Sequence, residues 1–503
     1  MSKQIRNLGV FLLVCYTALF LQVNRLTVFD AHDLQHKPGN NRAVERDFAR
    51  PRGTIESADG VVLAESVPSN DRFRFQRTYP TKDLFAYVTG YYAFQLGSTG
   101  VERQYNDELA GRTLSFNLDQ LDDLFVDREQ VGNVTLSVRK DVQQVAKDTL
   151  GDRAGSVVAL DPRTGEILAL WSTPSYDPNL LATHDFTAAT ANAKVLNEAK
   201  ATRARTFQER RFPGSTFKVV TATAGVERGG VTADQPSYPV RTSYQAPGRG
   251  RPISNFGGES CGGTLFPILE VSCNSAFAQM GTEDVGAAGM SQIAESFGFD
   301  RDIPLDLPGG VQSTFPVKAV SQDPVFLAQA SIGQNAVQAT PLQMAMVAAA
   351  VANGGKIMTP HVMREVHDEQ GNLVKKYDQK TFSTPMSGDT AGLLRDAMVS
   401  VVRQGTATRL AAGLDGFVVG GKTGTAQLGS NPPRSDAWII GFAGPPGEVP
   451  HVVVAVNVEG QEGSSEATGG RVAAPIGAAV MKQALTPPQR ADQAEGGSAQ
   501  GGG

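Results

Sequence analysis

Residues 213–224 read Pro213-Gly214-Ser215-Thr216-Phe217-Lys218-Val219-Val220-Thr221-Ala222-Thr223-Ala224. The Pro-Gly pair ends whatever precedes it, and the apolar run predicts a helix starting near Ser215. Ser215 and Lys218, three apart, then share one helical face, where an amine can reach a hydroxyl. A serine hydroxyl is a weak nucleophile at neutral pH. A neighbouring amine can take its proton if burial keeps that amine neutral. By itself Ser-x-x-Lys says little. About one or two matches arise by composition in a chain of this length, and Ser137-Val138-Arg139-Lys140 is such a match.

Two further motifs follow it. Ser272-Cys273-Asn274 can offer a hydroxyl relay and an amide to one pocket, although Ser115-Phe116-Asn117 has the same spacing. Lys422-Thr423-Gly424-Thr425, after Gly420-Gly421, sits on or beside a strand. Its ammonium and two hydroxyls suit a carboxylate, and Gly424 would let a substrate backbone approach closely. Ser-x-x-Lys, Ser-x-Asn and Lys-Thr-Gly in that order form the signature of serine acyl-transfer enzymes. Only Ser215, Ser272 and Lys422 satisfy the order with workable spacing. Ser115 precedes both Ser-x-x-Lys matches, and Ser137 lies in Val134-Thr135-Leu136-Ser137-Val138, which reads as a strand. Residues 416–423 also match the phosphate-loop pattern. There the middle is Phe417-Val418-Val419, which is strand material, and no helix follows to receive a phosphate.

Around these motifs the chain has 503 residues, 46 Lys+Arg against 51 Asp+Glu, and 41% hydrophobic residues. Such a chain folds, divides into two or three domains, and gives nucleic acid no basic surplus to bind. Three cysteines exclude a disulfide-stapled scaffold. Six histidines, of which only His32 and His36 are close, give no metal site. Leu8–Val23 is uncharged and follows Lys3 and Arg6. It spans about 24 Å as a helix, short of the roughly 30 Å hydrocarbon core, so its flanks must extend it. A cleaved signal peptide would look similar. No small-x-small site follows, however, and an uncleaved anchor over residues 8–24 is the favoured expectation. Its basic flank predicts a cytoplasmic N-terminus, residues 1–7, and an extracytoplasmic remainder. Arg42, Arg46, Arg50 and Arg52 suggest a solvated or salt-bridged surface. Gly155–Leu160 and Glu166–Leu170, joined by Asp161-Pro162-Arg163-Thr164-Gly165, predict a β-hairpin. Phe417–Val419, Ala437–Phe442 and Val452–Val458 predict strands, and Pro341–Ala352 and Val472–Leu485 predict helices. Strands at both ends with helices between suggest one α/β sheet assembled from distant parts of the chain. The tail, 486–503, has the composition of disorder.

At this point the sequence resembles the class B penicillin-binding proteins, most of all the shorter actinobacterial A-type members. The resemblance covers most of residues 45–485. Arg52-Gly53-Thr54-Ile55, Gly100-Val101-Glu102-Arg103 with Tyr105, Pro174–Asn179, and Ser331-Ile332-Gly333-Gln334-Asn335 with Thr340–Gln343 support it. It implies a transpeptidase domain of the penicillin-binding/serine β-lactamase type, an antiparallel sheet flanked by helices, over residues 151–485. An elongated mixed domain over 25–150 and one transmembrane helix would precede it. The implied activity is D,D-transpeptidation of peptidoglycan stem peptides. Ser215 would attack D-Ala-D-Ala, Lys218 would act as base, and Ser272 and Asn274 would relay a proton and hold the acyl chain. Lys422, Thr423 and Thr425 would hold the terminal carboxylate. β-Lactams would acylate the same serine, and no cofactor or metal is called for. A membrane-embedded glycan polymerase, other cell-wall or division proteins and the lipid bilayer are the implied partners. Cys261 and Cys273 lie twelve apart. Outside the membrane they could pair and tether the Ser-x-Asn loop, or stay as two buried thiols. A β-lactamase and a non-catalytic cell-wall scaffold are the rival functions.

Overall fold

The computed structural model describes residues 3–25, 45, 48–112, 131–248, 250–428, 434–462 and 468–488. Arg42 and Arg46 of the basic cluster, His32 and His36, the Ser115-Phe116-Asn117 triplet and the tail beyond residue 488 lie outside them. Helix α1, Lys3–Asn24, has 22 residues and no buried side chain. It begins five residues before the apolar run. At about 1.5 Å per residue the whole helix measures about 33 Å, so the charged flank supplies the missing length. Among the described residues it is the one helix long and apolar enough to cross a bilayer.

The chain divides into two compact units, residues 1–51 with 67–76, and residues 52–66 with 77–503. In the first, Phe48 meets Phe73 edge-on at 5.8 Å between ring centroids. The second carries the whole of the main sheet. Its main sheet is antiparallel and built from β1 (Gly155–Leu160), β2 (Ile167–Thr173), β3 (Val418–Gln427), β4 (Arg434–Gly444) and β5 (Val452–Glu462), in the spatial order β3-β4-β5-β1-β2. The β1–β2 hairpin is the one its turn residues predict. The Phe417–Val419 run is the start of a longer strand that takes in the whole Lys-Thr-Gly motif. All six residues of β1 are buried, because helices cover both faces; such strands read as unbroken apolar runs.

Four helices position the site. After α1, α2 spans Lys218–Arg228, α3 Pro341–Ala352, α4 Gly388–Gln404 and α5 Gly469–Leu485. Every residue of α3 is buried, as its all-round apolar sequence requires. Its start is set by Pro341 at the first turn and by Thr340, whose side chain accepts the Gln343 N–H at 3.1 Å. Helix α5 lies on the opposite face, where a Cβ on Gly477 would meet Leu410 Cδ1 at 3.1 Å and Ile439 Cγ2 and Val454 Cγ2 at 3.4 Å. Pro475 inside α5 removes the N–H that would bond the Arg471 carbonyl. The Arg409 guanidinium sits 3.5 Å from that oxygen instead.

In a second sheet, Leu373–Lys376, Met363–His367, Asn133–Leu136, Ile55–Glu56 and Val62–Pro68 lie side by side in that order. Strands numbered after 360 thus complete a sheet begun before residue 140. The Asp306 carboxylate fastens this crossing. It accepts the Val362 and Met363 N–H groups at 2.7 and 2.8 Å and the Tyr105 hydroxyl at 2.7 Å. Ser137, at the end of Asn133–Leu136, spends its hydroxyl on the Ile167 carbonyl at 2.8 Å, fully buried; its Ser-x-x-Lys spacing is structural.

Arg52 leaves the expected surface cluster. It is 5% exposed and pairs with the fully buried Glu102 at 3.0 Å, while Arg77 takes the other carboxylate oxygen at 2.6 Å. The Tyr79 hydroxyl donates to the same carboxylate at 3.2 Å. Burial alone would raise the pKa of Glu102, but the two guanidiniums hold it below its ordinary value. Such a group adds stability above its unfolded-state pKa and loses it as pH falls. Glu102→Ala leaves two buried guanidiniums uncompensated. It is expected to cost about 3–5 kcal/mol, measured by urea unfolding near neutral pH.

Candidate active site

The segment that delivers Ser215 is tightly bounded. Gly214–Phe217 forms a single 3-10 turn, and α2 begins at Lys218. Gly214 has φ +52°, and its N–H bonds the Gly333 carbonyl at 3.0 Å. A Cβ on Gly333 would lie 2.1 Å from the Gly214 oxygen, which is why Ser331–Asn335 carries a glycine there. Phe217 is fully buried, edge-on to Phe299 and stacked on Phe315 at 5.4 and 5.8 Å. With its neighbours fixed, the Ser215 side chain is left half-buried. Its hydroxyl makes no hydrogen bond among the described residues.

Lys218 makes its hydrogen bonds with the Ser-x-Asn segment. Its Nζ donates to the Ser272 carbonyl and to Asn274 Oδ1, both at 2.6 Å, and lies 3.2 Å from Ser272 Oγ. The side chain is fully buried, and its Nζ is 5.6 Å from the Phe277 ring centre. Burial first, and the neighbouring Lys422 second, hold its pKa well below the usual lysine value. An amine whose proton is held this weakly can take one from a neighbouring hydroxyl and pass it on.

Ser272 stands between the two lysines. Lys422 Nζ lies 2.8 Å from Ser272 Oγ and 2.9 Å from the Thr423 carbonyl. Lys422 is also fully buried, and burial pulls its pKa down to about 7. Ser272 has φ +59°, a left-handed conformation that most residues avoid. Helix Leu265–Glu270 imposes it. The Ser272 N–H bonds Leu269 O at 3.2 Å and the Cys273 N–H bonds Ile268 O at 2.8 Å. These are the two closing bonds of a helix C-terminus that ordinarily uses glycine. On the far side Cys273 forms a disulfide with Cys261 of the short strand Cys261–Gly263, with Cα atoms 5.8 Å apart. Asn274 is fixed at both ends of its amide, Nδ2 donating to Ser254 O at 2.9 Å. Ser254 and Asn255, whose Oδ1 accepts the Ser275 N–H at 2.8 Å, carry no sequence signal of this role.

Lys422, Thr423, Gly424 and Thr425 lie on β3, the edge strand of the main sheet. The Thr423 hydroxyl is hydrogen-bonded to that of Thr406 at 2.7 Å, another partner the sequence does not flag. Thr425 is half-buried and its hydroxyl is uncommitted among the described residues. Gly424 differs from the expectation of a substrate approach. A Cβ there would meet Thr216 Cγ2 at 2.9 Å, the Pro213 carbonyl at 3.0 Å and Trp438 Cβ at 3.1 Å. The close approach is made by the turn that carries Ser215. The three motifs therefore meet, through Lys218, Ser272, Asn274 and Lys422, in one network of buried amines and a shared hydroxyl. Acyl transfer needs a hydroxyl, an amine whose burial weakens its hold on a proton, and a cation for the carboxylate; Ser215, Lys218 and Lys422 offer those groups.

A family model for the penicillin binding protein transpeptidase domain matches residues 155–482, and one for the penicillin binding protein A dimerisation domain matches residues 52–134. The chain is 36% identical over 500 residues to the peptidoglycan D,D-transpeptidase PbpA of Mycolicibacterium smegmatis, covering 96% of this chain and 99% of that one. It is 35% identical over 509 residues to the protein of that name from Mycobacterium tuberculosis, covering 96% and 99%. The structure of penicillin-binding protein A from M. tuberculosis as a ceftriaxone acyl-enzyme superposes with a TM-score of 0.80 at 35% identity. That match covers 88% of this chain and 100% of the solved one.

Gly424→Ala forces a methyl group into the Thr216–Pro213 turn. It is expected to lower the free energy of unfolding by about 1–3 kcal/mol, read from the shift of the urea midpoint at constant slope.

Proposed function

The chain belongs to the penicillin-binding protein transpeptidase family, and from that premise we propose that Ser215 is its acyl-accepting nucleophile and Lys218 the base that activates it. The protein is a class B penicillin-binding protein, a serine-type peptidoglycan D,D-transpeptidase that β-lactams acylate. One observation carries the residue assignment: the buried Lys218 amine lies next to Ser215 in the chain and in one network with Ser272, Asn274 and Lys422.

In the proposed sequence, Ser215 Oγ adds to the carbonyl of the penultimate D-Ala and its proton passes to Lys218. The N–H groups of Ser215 and Thr425 receive the oxyanion. Lys422, Thr423 and Thr425 hold the terminal carboxylate, and Asn274 holds the acyl chain. Ser272 Oγ, between the two amines, carries the proton to the departing D-Ala nitrogen. An amine from a neighbouring stem then attacks the acyl-enzyme, returns its proton along the same path and frees Ser215. We also propose that α1 anchors the chain with its N-terminus in the cytoplasm, supported by Lys3 and Arg6 ahead of the apolar run. A membrane-embedded glycan polymerase would be the partner that supplies the strands to be joined, and residues 25–150 the part that meets it.

Wild-type chain incubated with fluorescent penicillin is expected to label and to keep the label for an hour, and Ser215→Ala to take none. Label that appears and then vanishes would mark a β-lactamase. A folded wild type that never labels would end the catalytic assignment. Lys218→Ala is expected to slow acylation by about 10²–10⁴-fold. The pH profile should be bell-shaped. Acid protonates Lys218 and removes the base, with a midpoint far below the usual lysine value. Alkali discharges Lys422 near pH 7 in the free enzyme and weakens carboxylate binding. A second-order acylation rate that is flat from pH 5 to 9 would contradict both roles.

A further inference from the structure

A cavity of about 720 Å³ opens beside the segment that leads into Ser215. Its lining includes Lys200, Arg203, Arg205, Arg210 and Arg211 against only two carboxylates, Glu209 and Glu459. The chain as a whole is acidic, with a net charge of -5, so this concentration of cations is local. Arg205 and Arg211 already neutralise the carboxylates, with Glu459 at 2.9 and 2.6 Å and Glu209 at 4.0 and 3.2 Å. Lys200, Arg203 and Arg210 have no acidic partner among the described residues, and all three are exposed. Arg205 Nη1 and Arg211 Nε are buried N–H groups with no acceptor. The cavity therefore carries spare positive charge on Lys200, Arg203 and Arg210, with two unpaired guanidinium N–H groups buried behind its wall, and guanidiniums suit an anion with planar oxygens.

The wall is rigid. Arg211 exchanges both backbone hydrogen bonds with Ala339, at 2.9 and 2.8 Å. Thr206 O accepts the Leu342 N–H at 2.9 Å and Phe207 O the Val311 N–H at 3.0 Å. Gln208 Nε2 reaches the Pro308 carbonyl at 3.2 Å. Arg211 precedes Ser215 by four residues, so their Cα atoms are at most about 14 Å apart. That is within the length of a short peptide whose C-terminal end is held at Lys422. The size fits a peptide side chain and its neighbours.

We propose that this cavity is a second anchoring site for the stem peptide, binding a carboxylate upstream of the D-Ala-D-Ala end. The inference rests on Ser215 and Lys422 being the acyl-transfer site. Its chemistry is separate: it reads an acidic side chain, which the terminal carboxylate site does not.

The test compares two synthetic peptides ending in D-Ala-D-Ala, identical except that one carries a free glutamate carboxylate upstream and the other its carboxamide. The full chain in detergent should release D-Ala from the acid with a kcat/KM about five-fold above that for the amide, and the preference should shrink with added salt. Arg203→Glu with Arg210→Glu should bring the ratio to about one or below. Lys318→Ala, an exposed cation outside the cavity, should leave it unchanged. Equal rates in wild type, or a preference that survives the double reversal, would overturn the proposal. Inorganic pyrophosphate is the competing probe. If it protects the wild-type chain against thermal unfolding, loses that effect in the double variant, and the peptide pair shows no preference, the cavity serves a phosphate and the carboxylate assignment falls. A chain that labels with fluorescent penicillin but shows no preference loses only this proposal, whereas one that never labels loses the serine assignment as well.

Discussion

Two lysine side chains with no exposed surface share one serine hydroxyl. Burying an ammonium is expensive, and the cheapest relief is to give up the proton. Burial lowers the pKa of both Lys218 and Lys422, and the neighbouring Lys422 lowers that of Lys218 further. The surrounding architecture maintains this condition. Phe217, Phe277 and the packed face of β3 and β4 keep water from the amines. The Ser272 carbonyl and Asn274 Oδ1 supply the acceptors that a neutral amine needs and no carboxylate that would hold it charged.

That condition demands accuracy from the Ser272 segment. A serine in the left-handed region carries a strain that glycine would avoid, and glycine has no hydroxyl to relay a proton. The strain is held on one side by the terminal bonds of helix Leu265–Glu270 and on the other by the disulfide to Cys261. The glycines serve the same end from the opposite wall. Gly333, Gly214 and Gly424 bring three backbones together so tightly that the turn carrying Ser215 is clamped between α2, the Ser331–Asn335 loop and the edge strand.

The second sheet shows how the remote region is joined to the catalytic one. Asn133–Leu136 pairs with Met363–His367, and Asp306 ties both the latter and Tyr105 to its carboxylate. The ion pairs of Arg52 and Arg77 with Glu102 fix the adjoining segments.

Much of this was legible in the residues. The order of three short motifs selected Ser215, Ser272 and Lys422 over their look-alikes, because chain order survives folding. The β1–β2 hairpin, α3 and the apolar N-terminal helix α1 could be placed from turn residues, an all-round apolar run and terminal position. Those are local properties that each segment carries with it. What the sequence could not settle was every relation across the fold. Lys218 is spaced to face Ser215, yet its hydrogen bonds go to Ser272 and Asn274, because acceptors more than fifty residues away outcompete a neighbour three residues away once all are buried. Gly424 proved to serve the packing of Thr216, and Arg52 the neutralisation of Glu102. Contacts of this kind depend on which backbones the sheets bring within 3 Å, and only the tertiary structure decides that.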